Sequence, residues 1–152
     1  MAYFPDLVKG AAVMGPNSEY TLPAGEDLSA SQYYLVTIDA YWTVKCHDPA
    51  ADPCMVGVLQ NAPLEGEMAV VRVFGFSRAV LADSVGRGDF VMWAFGADKG
   101  KVAKFTPGTD GHHHDTGGDP ADPTSYDIIV GQTVEAGSAA ETPVIRLMFQ
   151  VL

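Results

Sequence analysis

Short apolar runs separated by turn residues recur along most of this chain. The segment from Val56 to Phe74 shows the pattern best, with an apolar run, a turn containing Asn61, Pro63 and Gly66, and a second apolar run. The second run is rich in valine and ends in phenylalanine, and β-branched and aromatic residues of this kind pack well on a pleated sheet. The segment therefore predicts two strands joined by a turn.

The same pattern returns 74 residues later in the chain. Val56-Gly57 aligns with Val130-Gly131, and the run from Val70 to Phe74 aligns with the run from Val144 to Met148, with an arginine at the third position of both runs. Two copies are too few for a solenoid, which needs at least three stacked repeats. The pattern favours two equivalent strand pairs in one domain, and the alternative is a chance match between short apolar strands.

The remaining apolar runs predict strands on both sides of the central segment. These further strands are expected at residues 33–38, 41–45, 77–81, 89–95, 101–105, 126–134 and 144–152. Asp98-Lys99-Gly100 predicts a tight turn. Helical periodicity is poor, so at most one short helix is expected, near residues 27–32. Strands at this spacing indicate an all-β fold, a small single-domain barrel or sandwich.

The two ends of this strand pattern differ in character. Residues 1–27 contain six Pro and Gly residues without sustained periodicity, which predicts an extended N-terminal arm. The arm is interpreted either as a frayed terminus or as a segment that pairs with a partner by strand addition. Residues 28–152 form the predicted β domain, which carries a long loop rich in Gly, Asp and His at residues 106–125.

Composition and charge narrow the functional classes. A chain of 152 residues fits one domain, and no apolar run reaches the length of a membrane span. The N-terminus lacks the pattern of a secretory signal, which favours synthesis in the cytoplasm. The net charge of −10, from 19 acidic and 9 basic side chains, repels phosphate, so nucleic-acid binding is not expected. In a reducing cytoplasm Cys46 and Cys54 are expected as free thiols, although a disulfide is sterically possible.

Several short motifs follow one another along the chain in an order that is typical of one protein family. They are Gly57–Ala62, Gly66-Glu67, Val71–Val73 followed by Gly75, Gly88–Val91, Gly100–Val102, Ile128–Gly131 and a closing strand at residues 144–152. In this order and spacing, over roughly residues 28–152, the sequence resembles the small capsid decoration proteins of tailed bacteriophages, also called capsid cement proteins (the DUF2190-type family). Residues 1–27 and the His-rich loop depart from the family pattern.

The resemblance implies both a fold and a function. It implies a compact, β-tulip-like domain on the outer surface of the mature virion capsid. There such a protein binds the major capsid protein, often as a homotrimer, and stabilises the head by bridging neighbouring subunits. This structural role requires neither an active site nor a cofactor. The alternative is a head-fibre-like module on the capsid that binds a receptor or a glycan.

The loop at 106–125 contains the one candidate metal site. His112, His113, His114 and Asp115 offer imidazole and carboxylate groups, the usual zinc ligands. Consecutive residues of an extended chain point to alternate sides, so three adjacent histidines encircle a single ion poorly. A hydrated loop tip is therefore the favoured interpretation, and the alternative is a metal site shared between copies around a symmetry axis. No metal or other cofactor is predicted.

The sequence offers no convincing catalytic site. Cys46, His47 and Asp48 are adjacent in sequence, and neighbouring side chains rarely reach the geometry of a thiol nucleophile with its base. The serines lack the nucleophile-elbow pattern. Arg87-Gly88-Asp89 leads directly into an apolar run, so it is interpreted as a turn before a strand and not as an adhesion motif. An enzyme is not predicted.

Candidate contact residues lie in the arm and in the repeated strands. Tyr3, Phe4 and Pro5 of the arm are expected to contact the capsid or a neighbouring subunit. Arg72 and Arg146 occupy equivalent repeat positions, and either face solvent or pair with an acid across an interface, for which arginine is well suited. Most aromatic residues are expected in the core, and a few are expected to anchor the contact surface. They are Tyr33, Tyr34, Tyr41, Trp42, Phe74, Phe76, Phe90, Trp93 and Phe95.

Overall fold

A computed structural model of the chain describes residues 18–51, 55–94, 96–106 and 128–151. Within these ranges the chain forms strands and one short 3-10 helix, which confirms the predicted all-β fold. The strands are β1 (Ser18–Pro23), β2 (Leu35–Ile38), β3 (Val44–Cys46), β4 (Met55–Leu59), β5 (Met68–Arg78), β6 (Phe90–Trp93), β7 (Val102–Lys104), β8 (Ile128–Thr133) and β9 (Val144–Val151). The 3-10 helix spans Gly96–Asp98, directly before the predicted turn at Gly100. No helix in the described part of the chain is long and apolar enough to cross a membrane.

The nine strands form one curled antiparallel sheet, as expected of a small barrel or sandwich. Its order is β3-β2-β4-β5-β9-β8-β6-β7, and β1 pairs with β5 in addition. Strand β5 is the longest at 11 residues, and its two halves have different neighbours. Residues 68–74 pair with β1, and Val58 and Leu59 of β4 also pair with this half. Residues 75–78 pair with β9.

The divided strand separates the sheet into two units of equivalent topology. Unit 1 (residues 18–74) has the strand order β1-β5-β4-β2-β3, and unit 2 (residues 75–151) has the order β5-β9-β8-β6-β7. Strand β1 therefore has the same place in unit 1 that the C-terminal half of β5 has in unit 2. The pairing register shifts between Val36 and Thr37 in unit 1 and between Val91 and Met92 in unit 2. The predicted repeat is thus confirmed at the level of the whole strand order.

Individual contacts of the repeat also match. The Leu64 backbone N–H donates to Glu67 Oε2 at 2.8 Å, and 74 residues later the Ser138 N–H donates to Glu141 Oε2 at 2.7 Å. A Cβ atom added at Gly57 would collide with the carbonyl oxygen of Arg72, and one added at Gly131 would collide with that of Arg146. Both glycines are therefore required by a close approach of two backbones.

Each unit has its own apolar core, and the second core also contains residues of unit 1. The core of unit 1 consists of Ala24, Leu28, Val36, Val44, Leu59, Ala69 and Val71. The core of unit 2 consists of Ala79, Leu81, Val85, Val91, Met92, Trp93, Val102, Val130, Ile145 and Leu147, and it includes Leu35 and Val58 from unit 1. One face of the unit 1 sheet is thus buried against unit 2.

Two expectations about irregular segments need correction. The arm predicted over residues 1–27 is not irregular throughout, because Ser18–Pro23 form β1 against β5. The alternation of half-buried Tyr20 and Leu22 with exposed neighbours is too short to stand out beside the flanking prolines. The helix expected near residues 27–32 is replaced by turns, in which Asp27 Oδ1 accepts a hydrogen bond from the Ser29 N–H at 2.9 Å. Residues 1–17 and 107–127 lie outside the described ranges.

Candidate interaction surface

A row of four side chains crosses the outward face of unit 2. Phe76 on β5 lies opposite Arg146 on β9, Arg146 lies opposite Gln132 on β8, and Gln132 lies opposite Phe90 on β6. Directly paired residues of neighbouring strands project to the same side of a sheet. We call these four residues the outer row. The row runs across unit 2 from the junction between the units.

The outer row exposes aromatic surface around an arginine. Phe76 is 46% exposed and Phe90 is 40% exposed, and Phe74, two residues before Phe76 on the same side of β5, is 54% exposed. Phe74 and Phe76 lie two positions apart on β5, and Arg146 and Gln132 separate Phe76 from Phe90 along the row. Aromatic residues and arginine are the types that are enriched in protein interfaces and their hot spots. The composition is therefore that of a protein contact surface.

An open groove of about 270 Å³ lies beside the row. It is lined by Phe76, Arg87, Gly88, Gln132, Thr133, Val134 and Arg146. Gly88 has a φ of +86° and its N–H donates to the Thr133 carbonyl at 2.9 Å, which confirms the predicted turn at Arg87-Gly88. The turn places a second guanidinium group beside the outer row.

The nearby carboxylate of Asp89 is engaged elsewhere. Its Oδ2 accepts hydrogen bonds from Lys104 Nζ at 2.8 Å and from the Gly86 N–H at 2.7 Å. These contacts, the Lys104 hydrogen bond first, hold the pKa of Asp89 below its ordinary value, so the group is ionised at neutral pH.

Within the described ranges no carboxylate lies within 4.0 Å of the Arg87 or Arg146 guanidinium. Among the described residues, Arg146 Nη2 donates to Gln132 Oε1 at 3.4 Å and to Met148 Sδ at 3.9 Å.

Arg72, the repeat equivalent of Arg146, is engaged within the chain. Its Nε donates to Glu19 Oε1 on β1 at 2.8 Å, and the two side chains form an ion pair. Its Nη1 donates to the Phe76 carbonyl at 2.7 Å. The contacts tie β1 to β5, so Arg72 is an intramolecular clamp in this structure.

The structure does not describe several of the other residues singled out from the sequence. Tyr3, Phe4, Pro5, His112, His113, His114, Asp115 and Cys54 fall outside the described ranges. In the part of the chain that the structure describes, no group of three or more His, Cys, Asp or Glu residues is arranged for a metal ion.

The Cys46-His47-Asp48 segment has an arrangement unlike that of a nucleophile and its base. Cys46 is a free thiol, and burial raises its pKa to about 11, with Glu26 as a second cause, so it is protonated at neutral pH. The His47 ring is buried and lies 4.9 Å from the Trp93 ring, centroid to centroid. Asp48 faces Lys99 at 3.6 Å. A protonated thiol is a poor nucleophile.

Three of the aromatic residues singled out from the sequence lie on this surface. The sequence left open which aromatic residues lie in the core and which anchor a contact surface, and the structure places Phe74, Phe76 and Phe90 on the outside. Along β5, Ala69, Val71, Gly75 and Ser77 are buried and Val73 is partly buried, so Phe74 and Phe76 fall on the opposite side, with Arg72. Valines on both sides of the strand hide this alternation in the sequence.

A second exposed aromatic pair lies at the tip of the β2–β3 hairpin. Tyr41 is 85% exposed and Trp42 is 62% exposed, and Trp42 has a φ of +61° that L residues rarely adopt. Asp39 Oδ1 holds the turn by accepting hydrogen bonds from the Tyr41 and Thr43 N–H groups at 2.9 and 3.0 Å. These contacts, that of Thr43 first, lower the pKa of Asp39 to about 2. The tip therefore presents two aromatic rings on an ordered turn.

Comparison with known proteins gives a match in structure. No protein-family model matches the sequence, and no curated protein matches it significantly. Among solved structures, the chain is similar to the head fiber gp8.5 N base of bacteriophage phi29, with a TM-score of 0.53 and 12% sequence identity. The match covers 90% of this chain and 98% of that chain. At this level of identity the likeness shows a shared fold, and membership of the DUF2190-type family stays a prediction.

Proposed function

We propose that this chain is a structural virion protein that binds the exterior of a mature phage capsid. It is made in the host cytoplasm, binds the major capsid protein and bridges neighbouring subunits of the shell. The observation that carries the proposal is the fold shared, over nearly the whole of both chains, with the base of a phage head fiber. The sequence resemblance to capsid decoration proteins points to the same location independently.

The outer row provides a surface for this role. Together with Arg87 of the adjoining groove, it combines exposed aromatic groups with two arginines that have no carboxylate partner among the described residues. A stable protein contact buries about 1,000 Å² or more. The row and the adjoining Phe74 supply the central anchors of such a contact, and the polar groove supplies its edge.

Stabilisation of the shell follows from selective binding. A protein that binds the assembled lattice and not the separated subunits stabilises the lattice by mass action. If a homotrimer contacts several subunits at once, the linked contacts raise the effective affinity by about 10²–10⁴. Each individual contact can therefore be weak.

Adding the purified protein back to heads that lack it tests the proposal. We expect saturable binding to the heads and an increase in the temperature at which they release DNA. Heads carrying a full complement of the native protein serve as the reference. Failure to bind, or binding without any change in the DNA-release temperature, would contradict the stabilising function.

The N-terminal arm is a second proposed contact. Tyr3, Phe4 and Pro5 lie in the segment before β1, and an extended segment can add a strand to a partner sheet. Deletion of residues 1–17 tests this contact and leaves β1, which begins at Ser18, in place. We expect weaker binding to heads with an unchanged melting temperature of the free protein. Equal binding of the truncated and full-length chains would exclude the arm.

A receptor- or glycan-binding module on the head is the alternative function. The exposed Tyr41 and Trp42 favour it, because rigid aromatic side chains at a turn are suited to ligand contact. A glycan array screened with the wild-type chain and with Trp42→Ala would distinguish the two functions. A glycan that binds the wild type and not the variant would favour the alternative, and no glycan binding would favour the capsid role.

A further inference from the structure

The equivalent arginines of the two units, Arg72 and Arg146, have different neighbours across the sheet. On β5, Arg72 lies opposite Glu19 of β1, and on β9, Arg146 lies opposite Phe76 of β5. Because β1 and the C-terminal half of β5 have equivalent places in the two units, Phe76 occupies in unit 2 the position that Glu19 occupies in unit 1. The Arg72 guanidinium therefore has a carboxylate from the neighbouring strand, whereas Arg146 has an aromatic ring there.

The surroundings of Arg146 add to this difference. Arg87 lines the same groove as Arg146. Within the described ranges neither guanidinium has a carboxylate partner. The chain as a whole has a net charge of −10, so two such cations beside one groove are unusual for this surface. The groove is complementary to a negatively charged group.

The sheet face that contains Arg72 is covered by unit 2, whereas the equivalent face of unit 2, which contains Arg146, is open among the described residues. In unit 1, Arg72 lies opposite Val58, and Val58 lies opposite Leu35. Both apolar residues are fully buried against unit 2. In unit 2 the equivalent positions are Gln132 and Phe90 of the outer row, and this face is open among the described residues. Unit 1 thus shows what a covered face of this type looks like.

We propose that the groove between Phe76, Arg87 and Arg146 binds an Asp or Glu side chain of the major capsid protein. The inference rests on the proposed function and names the chemistry of the partner at that surface. Arginine binds a carboxylate with two parallel hydrogen bonds, as a charge-assisted pair. The apolar residues beside that acid pack on Phe76 and Phe90, in the way unit 2 packs on Val58 and Leu35. Glu19 on Arg72 is the intramolecular counterpart of this contact.

Binding of variants to heads that lack the protein is the first test. We expect Arg146→Ala to bind about tenfold more weakly or worse, as expected for an arginine at the centre of an interface. Arg78→Ala is the matched control, because Arg78 is an exposed residue of the same strand side as Phe76 and donates to the Thr142 carbonyl. Melting temperatures of both variants equal to that of the wild type exclude a folding defect.

The outcomes separate this inference from the proposed function. If the wild-type chain does not bind heads, the proposed function fails. If the wild type and Arg146→Ala bind heads equally, the proposed function stands and the carboxylate contact is overturned. Weaker binding by Arg146→Ala, but not by Arg78→Ala, supports the contact.

A cross-link identifies the partner residue directly. Arg146→Lys keeps the positive charge and introduces a primary amine, which a carbodiimide couples to a touching carboxylate as an amide, with loss of water. On heads that this variant binds, we expect a cross-link from position 146 to an Asp or Glu of the major capsid protein. Arg78→Lys should give none. A cross-link only to another copy of this chain, or no cross-link at position 146, would overturn the proposal.

Discussion

Two turns of the repeat require the same backbone conformation from different residues. Gly66 has a φ of +82° and its repeat equivalent, Ala140, has a φ of +67°. The N–H of Gly66 donates to the Ala24 carbonyl and that of Ala140 to the Leu81 carbonyl, both at 2.8 Å. Glycine adopts this left-handed region freely, whereas for an L residue with a side chain it costs about 1–2 kcal/mol. Unit 2 therefore stores strain that unit 1 avoids.

We predict that Ala140→Gly stabilises the protein. Relief of the backbone strain exceeds the added flexibility of glycine in the unfolded chain, so the free energy of unfolding should rise by about 0.5–1 kcal/mol. Chemical denaturation monitored by far-UV circular dichroism measures the change. An unchanged or lower midpoint at the same slope would show that the turn of unit 2 is not strained.

The reverse substitution in unit 1 is the control. A Cβ atom added at Gly66 meets no other atom within 4 Å, so Gly66→Ala changes only the backbone preference. This variant should lose stability by about 1 kcal/mol or more. Opposite signs for the two variants would confirm that the two turns are equivalent.

At the scale of the elements, a side-chain contact ties the start of β1 to β5. Its six residues lie along β5 from Phe74 to Met68, and its register is irregular between Ser18 and Glu19. The ion pair between Glu19 and Arg72 lies next to this irregularity and ties the start of the strand to β5. Both side chains are partly exposed, so the pair is worth no more than about 1 kcal/mol. Its effect on β1 is therefore local.

We predict that Glu19→Gln loosens β1 without unfolding the sheet. The substitution keeps the size of the side chain and removes its charge, so the amides of Tyr20 and Leu22 should exchange with solvent faster, and global stability should fall by less than about 1 kcal/mol. Hydrogen exchange followed by NMR measures both effects. Glu65→Gln is the control, since Glu65 is exposed and has no ion pair among the described residues. Unchanged exchange in β1 would show that the ion pair does not hold the strand.

The sequence predicted those elements whose local pattern is strong. The hairpins around Gly57 and Gly131 were predicted because an apolar run with a Val-Gly pair, a turn and a second apolar run all fall within about twenty residues. Strand β1 was not predicted, because its alternation covers only six residues and its partner lies some fifty residues away in the chain. Long-range pairing of this kind leaves little local signal.

The candidate surface was predicted only in part, because the sequence does not show which side of each strand is covered by other residues. Arg146 was singled out by the repeat, but the sequence did not distinguish Phe76 and Phe90 from the aromatic residues of the core. A strand with apolar residues on both sides does not show which side is covered. Here unit 2 covers one side of unit 1, whereas no described residue covers the equivalent side of unit 2. The one local signal was the replacement of Val58 by Gln132 at equivalent positions of the repeat.

At the scale of the whole molecule, the two units share a core and should unfold together. Leu35 and Val58 belong to the strands of unit 1 but pack in the core of unit 2, together with Trp93. Loss of either unit would expose these side chains, so the core of unit 2 is incomplete without unit 1, and the buried face of unit 1 is uncovered without unit 2. Coupling of this kind predicts one cooperative transition, and different probes of a single transition coincide.

We predict that a cavity in unit 1 alone lowers the stability of unit 2 by the same amount. Leu59 lies in the core of unit 1, and Leu59→Ala should cost about 2–5 kcal/mol. Trp93 is 6% exposed in the core of unit 2, whereas Trp42 is already exposed, so the change in tryptophan fluorescence on unfolding reports mainly on unit 2. Leu35→Ala, in the shared core, is the matched control, because it must affect unit 2 directly. The fluorescence and circular dichroism midpoints should shift together in both variants, and a fluorescence midpoint that Leu59→Ala leaves unchanged would show that the units unfold independently.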